Sequence, residues 1–381
     1  MIKSIVRLSN KGLFVPLIQG EIYFNYHWLR DACPSTIDSQ TRERIFDISQ
    51  LSTGPLAKAA NVQGDTLVID WASEVHETRL PISQLQDFAD NGRKYDPADL
   101  PRKLWYSDMY NDFKRVRQTD VVNTNAGCAV LARALVEDGI ALVTEMESSD
   151  ESLTQLVNCL GPVTTSAEGD YFEVRLEIEP TNLAFTASAL EMHTDLPGEE
   201  MAPGIQFLHC RENTVEGGRS LFLDGAAAAA ALRKEAPDAF HLLTSHDIPF
   251  FYRHDEWDYR AHHRVIELDP RGDVAGVTLS QHLQDDIDLP QDLLDDYYPA
   301  LCKFIRMMQE DRFVCRFRLN EGECIVFDNH RIVHGREAFS ADSGLRHLRG
   351  SYTDRGATWS KFRTLTSKGF NNSKKINVRV A

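Results

Sequence analysis

Two stretches of the sequence carry side chains that could hold a catalytic metal ion. The first runs from Glu191 to Pro197, and the second, far downstream, runs from Phe327 to Arg336. His193 and Asp195 are two residues apart, so on an extended strand their side chains project to the same side. Two such ligands fill only part of a coordination sphere, and His334 in the second stretch is the candidate for the third.

The combination of ligands indicates which metal chemistry to expect. Two imidazoles and one carboxylate on one face of an octahedral ion leave positions for a co-substrate and oxygen, which is the pattern of non-haem Fe(II) oxygenases. Tetrahedral zinc would favour a different arrangement. A lone His-x-Asp pair arises often by chance in a chain with 13 His and 57 acidic residues. The Asp-Asn-x-Arg-x-x-His-Gly-Arg run around His334 makes the pattern more specific.

Further motifs spread over much of the C-terminal half, and one lies near the N-terminus. They occupy residues 193–197, 206–210, 216–225, 327–336 and 346–352, with an additional stretch at 26–34. Together they resemble the Fe(II)/2-oxoglutarate dioxygenases of the taurine-dioxygenase superfamily, and within it the γ-butyrobetaine hydroxylase family. The stretch at 26–34 resembles that family's small first domain, so the resemblance covers nearly the whole chain.

The elements that must position these motifs fall into two parts. Residues 1–95 predict a small β-rich domain, because short alternating strands are separated by turn residues. The strands are predicted at 5–8, 20–24, 66–71 and 76–80. A polar segment with two prolines follows and indicates a linker, which we place at 96–105. Residues 106–381 then form the second, larger domain.

The larger domain predicts a mainly β fold with flanking helices. Helices are predicted at 124–138, 152–160, 224–235 and 289–311. Strands are predicted at 140–144, 171–178, 183–186, 205–210, 220–223, 277–279, 313–319, 324–327 and 347–353. Many strands with few helices favour a double-stranded β-helix, or jelly roll, whose mouth holds the metal.

Composition restricts the partners and the compartment. The net charge is −16, with 57 acidic and 41 basic side chains, which argues against nucleic acid and anionic membrane surfaces as partners. The first residues lack the apolar run of a signal peptide, and no stretch is long enough to span a bilayer. We therefore expect a cytoplasmic protein. The 7 scattered cysteines form no Cys-x-x-Cys motif and are expected to be reduced.

The co-substrate follows from the metal chemistry and the resemblance. No flavin or nicotinamide signature is visible, whereas 2-oxoglutarate would both chelate Fe(II) and supply electrons to O2; ascorbate is expected to support activity. The 5-carboxylate of 2-oxoglutarate requires a fixed cation, and the planar guanidinium of arginine suits this role because it can pair with both carboxylate oxygens. The resemblance implies Arg346 for this role and Ser220 where the superfamily usually has a threonine. Arg336 is the second candidate for an anion contact.

The resemblance also implies the substrate class. Substrates of the family carry a trimethylammonium group, which aromatic faces hold in a cage. Phe172, Phe185 and Tyr352 match cage positions, and Tyr171 occupies a neighbouring strand position. Glu168 stands where another cage position commonly has tyrosine, and its carboxylate could attract the cation directly.

The anionic end of the substrate is where the chain departs from the family. Asn182 matches an asparagine that binds the substrate carboxylate. Where a second asparagine is expected, the chain reads Ser280, Gln281 and His282. These donors favour 2-(trimethylammonio)ethylphosphonate, hydroxylated to its 1-hydroxy product, with succinate and CO2 formed. The alternative is hydroxylation of γ-butyrobetaine to carnitine.

Three further expectations concern the first domain, the assembly and the competing functions. The family often binds a structural zinc through cysteines and a histidine, but Cys33, Ser35, Asp38 and His76 occupy these positions here. Serine is a poor zinc ligand, so we expect no structural zinc.

The family is commonly dimeric, so a homodimer is expected. Two other functions stay open: a non-catalytic jelly roll that binds a small ligand, and a hydrolytic zinc enzyme on the same triad.

Overall fold

The computed structural model describes residues 5–51, 54–177 and 183–367. Internal contacts divide the chain into two compact units, Met1–Asp99 and Leu100–Ala381. This division falls within the predicted 96–105 linker. Among the described residues, no helix combines the length and the apolar character that crossing a bilayer requires.

The described residues of the first unit form two three-stranded antiparallel sheets, in the orders β1-β2-β3 and β4-β5-β6, and two α-helices. The elements are β1 Arg7–Leu8, β2 Gly12–Leu17, β3 Gly20–Asn25, α1 Tyr26–Asp31, β4 Ala57–Gln63, β5 Thr66–Trp71, β6 Glu77–Pro81 and α2 Ile82–Asn91. The strands β2 and β4 were not predicted. Pro16 lies inside β2, and β4 is rich in Ala, Lys and Asn, so pairing with neighbouring strands overrides weak local propensity.

The four residues at the family's zinc positions are placed as follows. The Sγ atom of Cys33 lies 3.1 Å from Oγ of Ser35. The Asp38 carboxylate accepts hydrogen bonds from the backbone N–H groups of Gln40 and Thr41, at 2.9 and 2.7 Å. Nε2 of His76 is buried with no hydrogen-bond partner in the described part of the chain. The expected lack of a structural zinc stays a prediction.

The second unit holds the remaining elements. Its strands are β7 Arg115–Arg117, β8 Ile140–Thr144, β9 Tyr171–Arg175, β10 Leu190–His193, β11 Ile205–Asn213, β12 Ser220–Asp224, β13 Asp247–Arg253, β14 Asp258–Arg264, β15 Ile266–Leu268, β16 Val274–Val277, β17 Cys315–Phe317, β18 Cys324–Asp328, β19 Ile332–Arg336 and β20 Arg346–Thr353. Its helices are α3 Gln118–Asn123, α4 Asn125–Glu137, α5 Asp150–Leu160, α6 Gly225–Glu235, α7 Pro237–Ser245, α8 Gln291–Met308 and α9 Arg355–Thr366.

Two mainly antiparallel sheets form the centre of this unit. One has six strands in the order β7-β8-β18-β11-β20-β9, and the other has four in the order β10-β19-β12-β17. Every residue of β18 is buried, as its run of apolar side chains predicts for a central strand. Phe222 and Phe317 of the four-stranded sheet pack with Phe327 and Leu348 of the six-stranded sheet in one apolar cluster. The sheets therefore face each other.

Helices pack against both of these sheets. The helices α4 and α5 pack on β8, β18 and β20 of the six-stranded sheet, while α6, α7 and α8 share a second core with β13, β15 and β16. The alanine-rich helix α6 begins after Asp224, whose side chain accepts the backbone N–H of Ala226 at 3.0 Å. Its alanines at 226–229 are buried, so the run serves packing.

Two predicted strands near the motifs are wrong or displaced. Residues 183–186 were expected as a strand, but Leu183–Phe185 forms a short 3-10 helix. The carbonyls of Ala184 and Thr186 accept hydrogen bonds from the Arg336 guanidinium, which helps to hold this segment in place. The strand expected at 277–279 is Val274–Val277, so residues 280–282 lie beyond its end. The hairpin of β13 and β14 was not predicted.

Candidate active site

The three predicted metal ligands converge on one point. His193 ends β10, and its Cα is the antiparallel partner of the His334 Cα on β19. Nε2 of His193 lies 3.1 Å from Oδ1 of Asp195, and Nε2 of His334 lies 3.5 Å from the same oxygen. The three ligand atoms are all within 4.8 Å of one another, and no other group of three such side chains occurs among the described residues.

Asp195 is held through its backbone by Asn329, a residue that the sequence analysis did not single out. Oδ1 of Asn329 accepts the Asp195 N–H at 2.7 Å. Its Nδ2 donates to the Asp195 carbonyl at 3.1 Å and to the Pro203 carbonyl at 3.0 Å. Leu196 follows with a φ of 50°, so the chain turns sharply after the ligand. The sequence signal for Asn329 was its place in the Asp-Asn-x-Arg-x-x-His-Gly-Arg run that also contains His334.

Hydrogen bonds and burial set the state of each ligand. Nδ1 of His193 lies 2.8 Å from the Glu191 carbonyl, which leaves Nε2 free to face a metal. Burial and the adjacent His193 lower the pKa of His334 to about 3, so its imidazole is neutral. Burial alone would raise the pKa of the Asp195 carboxyl, but the two imidazoles and the Tyr352 hydroxyl hold it well below its usual range.

A pocket with about 890 Å³ of empty space opens beside the triad, between the two sheets. Leu190 and Phe222 line it from the four-stranded sheet, and Gln206, Leu208 and Leu348 line it from the six-stranded sheet. The triad and side chains from both sheets therefore line one shared pocket.

Arg346, at the start of β20, is a buried cation in this pocket. It is 9% exposed, and its Nε has no hydrogen-bond partner in the described part of the chain. Burial and the nearby Arg336 lower the pKa of Arg346 to about 9, and no carboxylate is among the groups that act on it. A buried guanidinium without a counter-charge is costly, so an anionic ligand in the pocket would stabilise it.

Arg331 offers an internal comparison, because it is equally buried but fully paired. It contacts both carboxylate oxygens of Asp224, at 2.9 and 2.7 Å, and donates to the carbonyls of Glu137 and Lys103. Its guanidinium therefore hydrogen-bonds to groups of the protein itself and stabilises the fold. The contrast with Arg346 separates a structural arginine from one that can bind a ligand.

The other two predicted co-substrate residues have different surroundings. Ser220 on β12 is buried and lines the same pocket as Arg346. Arg336 on β19 pairs with Ser220 in register, but its guanidinium donates to the carbonyls of Ala184, Thr186 and Ser188 at 2.6 to 2.9 Å. Arg336 therefore positions the segment around residues 184–188. It also lines the pocket, and its buried Nε has no hydrogen-bond partner in the described part of the chain, so its role as an anion contact stays a prediction.

An aromatic pair forms one wall of the pocket. The rings of Phe172 and Tyr352 stack with centroids 5.1 Å apart and an interplanar angle of 27°. Phe172 lies directly opposite Gly350 in the pairing of β9 and β20. A Cβ atom at position 350 would lie 2.1 Å from the Phe172 ring, so this ring position requires glycine.

Phe185 and Glu168 extend this wall. Phe185 reaches the pocket from the short 3-10 helix, and Glu168 reaches it from the turn before β9. The Tyr252 hydroxyl, on β13, donates to the Glu168 carboxylate. The pocket thus combines aromatic faces with an acidic group, as the sequence predicted.

Three other predicted substrate residues are not in this wall. Tyr171 faces away from the pocket: its hydroxyl lies 2.8 Å from Oγ1 of Thr154, because neighbouring residues of a strand alternate sides. Gln281 is exposed, and Ser280 is buried outside the lining. Asn182 lies outside the described residues.

His282 is the member of the Ser-Gln-His triplet that reaches the pocket. It belongs to the lining, and its ring centroid is 5.0 Å from that of His193. Burial and the adjacent His193 lower its pKa to about 4, so it is a neutral donor or acceptor. The sequence placed the right triplet at the site, but the end of β16 decides which member points inward.

Comparison with known proteins identifies the family. Residues 114–352 match the model of the family described as taurine catabolism dioxygenase TauD, TfdA family. The chain belongs to this family. It is 32% identical over 359 residues to the γ-butyrobetaine dioxygenase of Pseudomonas sp. (strain AK-1), covering 93% of this chain and 94% of the relative.

Two further relatives from animals cover nearly as much of the chain. The human γ-butyrobetaine dioxygenase is 28% identical, covering 90% of each chain. The mitochondrial trimethyllysine dioxygenase of Gallus gallus is 27% identical, covering 87% of this chain and 81% of the relative.

As a member of this dioxygenase family the protein is an enzyme, with iron and 2-oxoglutarate as cofactor and co-substrate and O2 as oxidant. This result excludes the non-catalytic binding protein and the hydrolytic zinc enzyme. The residues of the site fit iron and 2-oxoglutarate. His193, Asp195 and His334 would hold the metal, and Arg346 supplies an unpaired cation in the same pocket. When bound, the iron and 2-oxoglutarate supply the oxidising chemistry, and the chain supplies binding and orientation.

Proposed function

We propose that this dioxygenase hydroxylates a small trimethylammonium zwitterion and converts 2-oxoglutarate to succinate and CO2. The observation that carries the proposal is the wall of Phe172, Tyr352 and Glu168 in the same pocket as the metal triad. A trimethylammonium group has no N–H to donate, so aromatic faces and a nearby negative charge are the groups that hold it. The names of the relatives, which specify γ-butyrobetaine and trimethyllysine, support the same cation.

We assign the chain's residues to four tasks. The triad holds the metal, and Arg346 with Ser220 binds the 5-carboxylate of 2-oxoglutarate by charge-assisted hydrogen bonds. Phe172, Phe185, Tyr352 and Glu168 orient the cation. These contacts bring one C–H bond of the substrate to the metal, and orientation of this kind contributes much of the rate.

The anionic end of the substrate decides between two candidates. We favour 2-(trimethylammonio)ethylphosphonate, because His282 offers a pocket-facing donor where the family has a different group. The second candidate is γ-butyrobetaine, which the 32% identity to a γ-butyrobetaine dioxygenase favours. Phosphonate has one more oxygen than carboxylate and so can use an additional donor.

The test is succinate formation from 2-oxoglutarate with Fe(II), ascorbate and air, run in parallel with both candidates. A third arm uses 5,5-dimethylhexanoate, in which a neutral carbon replaces the nitrogen of γ-butyrobetaine. We expect both cations to stimulate succinate formation and the neutral isostere to do so weakly. Equal stimulation by the isostere would contradict cation recognition.

A matched variant locates that recognition in the wall. Glu168→Gln keeps the shape of the side chain and removes its charge, so we expect the preference for γ-butyrobetaine over 5,5-dimethylhexanoate to shrink. Thr154→Val removes the partner of Tyr171, on the far side of the sheet, and serves as the control. An undiminished preference in Glu168→Gln would show that the aromatic rings act without the carboxylate.

The fold and the assembly complete the proposal. We infer that the two facing sheets of the second unit form the double-stranded β-helix, since both are mainly antiparallel and the triad lies at their shared pocket. The homodimer stays a prediction, which light scattering on the purified protein tests.

A further inference from the structure

Tyr352 contacts both halves of the active site with different parts of one side chain. Its ring stacks on Phe172 in the substrate wall, and its hydroxyl lies 2.6 Å from Oδ2 of Asp195. The side chain is 1% exposed. Only the ring was considered in the sequence analysis, where Tyr352 was a cage residue.

The two oxygens of Asp195 have separate partners. Oδ1 faces the triad, at 3.1 Å from His193 and 3.5 Å from His334, whereas Oδ2 accepts the Tyr352 hydrogen bond. The Asn329 clamp on the Asp195 backbone fixes the direction from which the carboxylate enters. Both the backbone and one oxygen of the ligand are therefore held by the chain itself.

The position of the hydroxyl is itself fixed by β20. Tyr352 pairs with Gln206 on β11, in the middle of the sheet. On either side of it, Ser351 donates to the Asp170 carbonyl at 2.8 Å and Thr353 donates to the Pro162 carbonyl at 2.6 Å. The phenol consequently has little freedom to leave Asp195.

We propose that Tyr352 is a positioning residue for the metal: its hydroxyl holds Oδ2 of Asp195, so that the carboxylate binds the metal through Oδ1 alone. When bound, the metal would be held by His193, His334 and the Oδ1 atom of Asp195, and this set of three ligand atoms would leave positions for 2-oxoglutarate and O2. A carboxylate that bound through both oxygens would occupy a position that the co-substrates require.

The arrangement also links the substrate wall to the metal ligand. A cation that contacts the Tyr352 ring contacts the same rigid group that orients Asp195. Removal of the Tyr352 hydroxyl should therefore weaken metal binding and leave the contact between the ring and the substrate cation in place. Removal of the neighbouring Phe172 ring should weaken substrate binding and leave metal binding in place.

The test is titration of the purified full-length protein with Co(II), whose visible absorption reports coordination as well as affinity. Tyr352→Phe should bind Co(II) about 10- to 100-fold more weakly, the usual effect of losing a partner of a metal ligand, with an altered absorption band. Its KM for γ-butyrobetaine should change little, because the ring remains. Co(II) binding at wild-type affinity with an unchanged spectrum would overturn the inference.

Two tyrosines and one phenylalanine provide controls from the same chain. Tyr171→Phe and Tyr252→Phe remove hydroxyls that contact Thr154 and Glu168, and both should leave Co(II) binding unchanged. Phe172→Leu should raise the KM for γ-butyrobetaine without weakening Co(II) binding. Loss of Co(II) affinity in all four variants would indicate a general structural effect and also overturn the inference.

The inference rests on the proposed function in one respect, namely that the triad holds the metal. Asp195→Ala separates the two. If Asp195→Ala binds Co(II) like the wild type, the proposed metal site fails. If Asp195→Ala loses Co(II) while Tyr352→Phe keeps it, the metal site stands and only the role of the Tyr352 hydroxyl fails.

Discussion

The metal end and the substrate wall of the pocket are built in different ways. His193 and His334 lie on paired strands, and Asp195 is clamped by Asn329. In the wall, Phe172 and Tyr352 lie on the paired strands β9 and β20, whereas Glu168 lies in a turn and Phe185 in a 3-10 helix. Half of the wall therefore depends on connecting segments. The two ends can be altered separately, except at Tyr352, which contacts both.

The strongest test of this separation removes a metal ligand. Asp195→Ala should reduce 2-oxoglutarate turnover to background, with every substrate, because the ion loses its anionic ligand. The measurement is succinate release under Fe(II) and air. Asp342→Ala, at an exposed carboxylate of the same unit, should retain full turnover. Residual turnover in Asp195→Ala would reject the metal assignment.

A second test compares the two buried arginines. Arg346→Met should raise the KM for 2-oxoglutarate by about 10²-fold, the scale for losing one partner of a buried charge pair. It should not destabilise the fold, since it removes an unpaired buried charge.

Arg331→Met should do the opposite in a denaturant titration. It leaves the buried Asp224 carboxylate unpaired and should lower the free energy of unfolding by about 3–5 kcal/mol. If Arg346→Met destabilises the protein as much as Arg331→Met does, Arg346 is a structural residue and the co-substrate site must lie elsewhere.

A third test alters the wall and spares the metal end. Gly350→Ala places a methyl group where the Phe172 ring lies and should displace it. We expect the KM for γ-butyrobetaine to rise about tenfold, in line with a desolvated cation–π contact. Steady-state kinetics should show an unchanged KM for 2-oxoglutarate. A rise in both constants would mean that the two ends are not independent.

The smallest effect is expected at Arg336. Arg336→Met removes three hydrogen bonds to the segment that carries Phe185, so the KM for γ-butyrobetaine should rise severalfold, less than in Gly350→Ala. The KM for 2-oxoglutarate should stay constant. An increase in the KM for 2-oxoglutarate instead would support the interpretation of Arg336 as an anion contact.

The sequence predicted the metal end far better than the wall. His193 and His334 lie on paired strands, which bring them together as the sequence predicted. Asp195 lies in a bend beyond the end of β10, where the Asn329 hydrogen bonds rather than strand alternation hold it. Tyr171 and Gln281 were misplaced because one residue of register or one residue of strand length reverses a side chain. Asn329 and Arg336 act on backbone groups of distant segments, and only the folded chain reveals those partners.

The most direct test of the proposed function is a reaction under 18O2 with γ-butyrobetaine or 2-(trimethylammonio)ethylphosphonate, Fe(II) and 2-oxoglutarate, followed by mass spectrometry. The proposal predicts one 18O atom in succinate and one in the new hydroxyl group, in equal amounts, for at least one of these substrates. Labelled succinate without a labelled hydroxylated product from either substrate would contradict the assignment of a trimethylammonium substrate.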